Sequence, residues 1–177
     1  MTSGASAPLV LIYYCSIWGK EVYMEKLIYN FKGYFDIEDG SLPKTSWIYV
    51  LYEYAPESGR GFNLQQIVYV GQTKDFSSRV PEHIGEWNLA PGSKLYVTYA
   101  EFDEDYLDWA EAALVFALKP PFNEYLKDKY QYQDTRLIIT GAMQLMKHEY
   151  IVISGKKKWP CVIYEKESIW RRKNCAD

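Results

Sequence analysis

Glu111 is the residue that packing alone explains least. The stretch "DEDYLDWAEAALVFALK" (103–119) reads as a helix, and its spacing puts Leu107, Leu114 and Leu118 on one face with Ala110 and Val115 beside them. Glu111 falls on that same face, four residues after Leu107 and three before Leu114. An ionised carboxylate withdrawn from water is costly unless it meets a cation, a metal or good hydrogen-bond donors. Partners of that kind stand upstream. "QIVYVGQTKDFSSRVPEHI" (66–84) carries Tyr69, Arg79 and His83, the last two four residues apart, and an earlier apolar run carries Tyr49. A carboxylate, a guanidinium and two phenols make a set able to hold one divalent cation and one phosphate. Each member also has a plain structural reading. Glu111 can sit at the edge of its stripe, Arg79 can pair with Glu82 or Glu86, His83 can be structural, and tyrosines commonly pack in sheets.

These side chains need elements to hold them. "WIYVLYEY" (47–54) and "QIVYVGQ" (66–72) are β-rich runs, and the Pro, Gly and Asn of "APESGRGFNLQ" between them predict a hairpin with a long loop. "TKDFSSRVPEHIGEW" (73–87) predicts a helix capped near Asp75 or Ser77, with Pro81 close to its start. "SKLYVTYAEF" predicts a third strand, and the 103–119 helix follows, its acidic first turn matching the helix dipole. That helix stops at "KPPFN", because paired prolines cannot continue it. The order predicts an α/β chain of the α+β type, a small core with a three-stranded antiparallel sheet flanked by helices. Gly71 is expected to permit a tight exit from its strand.

Outside this core, "PLVLIYYCSIW" predicts a strand, and "EVYMEKLIYNFKGYF" an amphipathic helix with Met24, Leu27, Ile28 and Phe31 at helical spacing. After residue 125 come a polar linker, a helix in "DTRLIITGAMQLMKH", and a hairpin in which "GKKK" joins "EYIVIS" to "WPCVIYEK". The chain thus divides into an N-terminal extension at 1–45, a core at 46–125 and a C-terminal extension at 126–177.

Composition narrows the setting. At 177 residues, 48% hydrophobic and 24% charged, the chain can bury a core and looks like a soluble globular protein. Cys15, Cys161 and Cys175 are odd in number and widely spaced, which excludes a disulfide framework or a zinc site and predicts a reducing cytoplasm. The first apolar run is too short to span a bilayer and has no basic segment before it, so no membrane association is expected. The net charge of −3 argues against coating DNA by charge alone. Yet residues 151–177 carry +4, leaving −7 on the rest, which predicts a local anionic contact or a solubilising tail.

Taken in order, these motifs resemble the GIY-YIG nuclease family. Trp47-Ile48-Tyr49 is similar to its first strand motif and Tyr69-Val70-Gly71 to its second. "GQTKDFSSRVPEH" is similar to its Gly-x-Thr run into an arginine, and "EAALVFALKPPFN" to its glutamate-to-asparagine segment, with Glu111 and Asn123 twelve positions apart. The resemblance covers residues 46–125 and departs from the pattern at Trp47, in the longer loop between the motifs and at Pro81.

The resemblance implies metal-dependent hydrolysis of a DNA phosphodiester. Glu111 would be the ligand of one Mg²⁺ (or Mn²⁺), and Arg79 would grip the scissile phosphate. Tyr49 would activate water, Tyr69 would orient water or phosphate, and His83 would relay a proton. Asn123 would pin the turn after the helix. Lys74 and the basic hairpin turn Lys156, Lys157 and Lys158 are expected to contact DNA phosphates. Two other readings stand beside this one: a catalytically silent module that binds nucleic acid or a protein partner, and a nuclease subunit of a larger restriction, repair or mobile-element assembly.

Overall fold

A computed structural model describes residues 13–17, 20–37, 42, 45–54, 66–74, 84–85, 87–143, 149–154, 161–166 and 169–173. Its strands are β1 (Tyr13–Ile17), β2 (Lys20–Asp36), β3 (Trp47–Tyr54), β4 (Ile67–Thr73), β5 (Lys94–Glu101), β6 (Thr135–Gly141), β7 (Glu149–Ile153), β8 (Cys161–Lys166) and β9 (Ile169–Lys173). Among the described residues a 3₁₀ turn (Glu104–Tyr106) leads into helix α1 (Leu107–Leu118) between β5 and β6. The strands hydrogen-bond in the order β4-β3-β5-β2-β6-β7-β8-β9, with β1 paired to β2. All described pairs are antiparallel except β2 with β6, so the sheet is mixed and the fold is α+β.

The hairpin of β3 with β4 and the pairing of β3 with β5 match the expected core, but the sheet does not stop at three strands. It runs on through β2, because the expected helix at 21–35 is a strand. Leu27, Tyr29 and Phe31 are buried while Asn30 and Lys32 are exposed, an alternation that belongs to a strand. The helical spacing of Leu27, Ile28 and Phe31 coexists with this period of two, and the parallel partner β6 settles the competition by pairing residues 25–31 in register. Gly33 then adopts φ +127° where the register shifts between Lys32 and Phe35, and a Cβ there would lie 2.7 Å from the Val97 carbonyl oxygen. The helix expected in 134–148 is likewise β6 over its first half, with Thr135, Leu137 and Ile139 buried on one face.

β3 lies between two layers. Ile48, Val50 and Tyr52 join the main core with β2, β6, β7 and α1. Trp47, Tyr49 and Leu51 join a second cluster on the opposite face with Val68, Leu95, Val97 and Tyr99. Trp47, which stands where the motif's first glycine is expected, is fully buried there and meets the Tyr99 ring edge-on at 4.4 Å. The expected helix at 103–119 forms at 107–118, and it is buried beyond its leucine face, since Trp109, Ala112 and Phe116 are also covered. Tyr29 donates to the Ala110 carbonyl at 2.8 Å, and Trp109 Nε1 donates to the Tyr130 hydroxyl at 2.7 Å, tying the helix to the sheet and to the segment beyond it. Lys119 ends the helix in the left-handed region at φ 49°, just before Pro120. No helix among the described residues is long and apolar enough to cross a membrane.

Candidate active site

β4 ends the strand order, and the chain after α1 runs along it. Phe122 N–H donates to the Val68 carbonyl at 3.1 Å. Asn123, only 7% exposed, then clasps Val70 from both sides: its Nδ2 donates to the Val70 carbonyl at 2.8 Å and its Oδ1 accepts from the Val70 N–H at 3.0 Å. A primary amide offers this donor–acceptor pair and so substitutes for a neighbouring strand. The paired prolines that stop α1 are what bring Asn123 back to β4.

The clasp fixes α1 relative to the strand that carries Tyr69. Glu111 lies half-buried on α1, and the Gln72 side-chain amide at the end of β4 donates to Glu111 Oε2 at 3.1 Å and to Asp108 Oδ1 at 2.6 Å. One amide therefore orients two carboxylates three residues apart on the same helix face. Their negative charge reaches further: the Tyr132 phenol is pushed above its ordinary range, first by burial and then by Asp108 and Glu111. Glu111 is thus met by a donor, and it shares that donor with a second carboxylate.

Tyr69, Glu111 and Asn123 line one cavity of about 400 Å³, together with Trp87, Phe122, Glu124, Tyr125 and Leu126. Tyr49 stands directly opposite Gly71 in the β3–β4 register, and its ring packs against Tyr69 at 6.0 Å. With 2% exposure it belongs to the second core cluster, and of the two tyrosines it is Tyr69 that lines the cavity. β4 continues past Gly71 to Thr73, so the glycine is not a strand exit; its missing side chain leaves room for the two tyrosine rings. Lys74 is exposed and forms an ion pair with Glu104. Arg79, His83, Lys156, Lys157 and Lys158 lie outside the described residues, as does most of the helix expected over 73–87. Among the described residues no group of three or more His, Cys, Asp or Glu stands ready to hold a metal.

Gln72, Asp108, Trp87 and the 124–126 segment belong to this site without standing among the residues the motifs mark. Asp108 had a signal, since it lies three residues before Glu111, but an acid in the first turn of a helix already has an explanation. Trp87 had none, because its place depends on tertiary packing against Tyr69 and Phe122 at 5.3 and 5.0 Å. No family model, no curated protein and no solved structure matches this chain.

Proposed function

We propose that this chain is a metal-dependent DNA endonuclease that hydrolyses phosphodiester bonds at a GIY-YIG-like site. One observation carries the reading. Tyr69, Glu111 and Asn123, which come from a strand, a helix and a post-helix turn, line the same cavity at the edge of the sheet. The donors suit a magnesium-sized ion (Mg²⁺ or Mn²⁺), since Glu111 and Glu124 offer hard oxygens and the space leaves room for the waters such an ion keeps. When bound, the ion would supply positive charge to the phosphate and a more acidic water.

The chain's own residues would do the rest. Glu111 would hold the ion, its carboxylate oriented by Gln72. The Tyr69 hydroxyl can both donate and accept, so it would orient the attacking water or a phosphate oxygen. Tyr49, buried behind that ring, would buttress Tyr69 and hold its hydroxyl toward the attacking water. Arg79 would pair with the phosphate through its planar fork, with His83 relaying a proton beside it. Asn123 would keep α1 and β4 in register and do no chemistry itself. The burial of Tyr49 favours one other reading, a catalytically silent module that binds nucleic acid or protein.

Supercoiled plasmid incubated with Mg²⁺ or Mn²⁺ separates the two. Wild type should convert it to open circle, chelator should abolish this, and Glu111→Ala should slow it by at least about a hundredfold. Cleavage that survives Glu111→Ala would sink the assignment of the metal ligand. No cleavage of any DNA form would leave the binding module.

A further inference from the structure

We infer that the cavity at the β4 edge takes the base of an unpaired nucleotide, so that the preferred substrate is DNA with single-stranded character. The inference deepens the nuclease reading, and its phosphate half rests on it. Its base half stands on the cavity's own lining. The Trp87 and Phe122 rings stack, inclined by only 8°, and Tyr69 packs against Trp87 at a tilt of 35°. At the rim Tyr125 is 79% exposed and Leu126 is 37% exposed, with Leu126 at φ 66°. A leucine in the left-handed region is uncommon, and here it stands beside Tyr125 in the cavity lining.

That rim is held rather than loose. Asn123 anchors it to Val70, Lys127 Nζ donates to the Pro121 carbonyl at 3.2 Å, and Lys119 Nζ donates to the Lys127 carbonyl. An aromatic face kept in water by an anchored loop is a stacking platform awaiting a flat partner.

Charge decides which part of a nucleotide enters. The described lining has two carboxylates, Glu111 and Glu124, and neither lysine nor arginine. With no cation bound, such a surface repels a bare phosphate, while its carboxylate oxygens can accept hydrogen bonds from the exocyclic amines of a base. The volume, about 400 Å³, lies in the range of small-molecule sites. A base inside a duplex has both faces covered by its neighbours and cannot offer one to Tyr125, so the nucleotide must be unpaired or extruded. Its own phosphate then lies within one nucleotide of Glu111, which in the nuclease reading would hold a divalent cation able to offset the repulsion.

Binding of fluorescein-labelled DNA to the full chain, followed by anisotropy in EDTA, tests this without turnover. Wild type should bind a mixed-sequence single strand more tightly than the blunt duplex of the same sequence. Tyr125→Ala should weaken single-strand binding about tenfold and leave duplex binding unchanged, and Tyr125→Phe should restore it. Equal binding to both forms, or a Tyr125→Ala chain that binds single strands like wild type, overturns the inference. Plasmid nicking keeps the two readings apart. A chain that binds single strands through Tyr125 yet nicks nothing retains the base site and loses the nuclease; one that nicks with no Tyr125 dependence does the reverse.

Discussion

A methyl group added at Gly71 would sit 2.6 Å from both Cζ and the hydroxyl of Tyr49, and 2.8 Å from Cε1 of Tyr69. Tyr49 is buried on every side, so its ring cannot swing clear without disturbing Trp47 and Tyr69. Gly71→Ala should therefore cost about 1–3 kcal/mol, read as a lower urea midpoint at unchanged slope. Shortening the ring relieves the clash, so Gly71→Ala combined with Tyr49→Leu should cost less than the sum of the two single changes. An unshifted midpoint for Gly71→Ala would show that the two rings do not depend on that gap. That Tyr69, Glu111 and Asn123 meet at one cavity accords with their motif spacing along the chain. Gln72 was not legible, since an amide at the end of a strand acquires its role only when α1 brings two carboxylates to it. Gly71 was legible as a residue that must be small, though for the wrong reason.

Elements were readable where one period dominated and misread where two competed. The alternating runs at β3, β4 and β5 gave strands, and the 107–118 run gave a helix, because length and flanking prolines left little choice. β2 departs from the expected helix because the helical set Met24, Leu27, Ile28 and Phe31 leaves out Tyr29, whose ring is buried in the core. The buried tyrosines leave a measurable mark. Burial, the largest cause, raises the Tyr130 phenol to about 12, against the pull of its hydrogen bonds with Thr135 and Trp109. The unfolded phenol ionises near 10, so between about pH 10 and about pH 12 the unfolded chain holds fewer protons than the folded one. Stability from this group is complete below about pH 10 and is lost as pH rises through the folded value, by about 2–3 kcal/mol in all. Tyr29 and Tyr52 are shifted upward by burial too and act in the same direction. Urea midpoints should be flat at mildly alkaline pH and fall steeply above about pH 10. Tyr130→Phe should start less stable, having removed the Trp109 acceptor at 2.7 Å, and should fall less steeply. An equal slope for Tyr130→Phe would show that this phenol does not carry the effect.

The sheet order makes residues before 46 and after 125 part of what supports the β4 edge. β2 runs between β5 and β6, and its Leu27, Tyr29 and Phe31 share one core cluster with Ala110 and Leu114 of α1. β6 and β7 add Leu137, Ile139, Ile151 and Ile153 to the same cluster. Motif spacing shows the 46–125 segment as a unit because motifs are local, whereas a parallel pair such as β2 with β6 joins segments more than a hundred residues apart. Removing these seven side chains from the core would forfeit about 1.5–3 kcal/mol each. Together that approaches or exceeds the whole stability of an ordinary domain, about 5–15 kcal/mol. A fragment of residues 46–125 should therefore show no cooperative thermal transition by circular dichroism and a collapsed amide spectrum by NMR. It should also bind no DNA, even though it keeps Tyr49, Tyr69, Arg79, Glu111 and Asn123. Cooperative melting of that fragment would mean that α1 and β4 hold their register without β2 and β6. If the fragment fails as expected, the edge cavity is a product of the assembled sheet, and its chemistry is to be assayed only on the full chain.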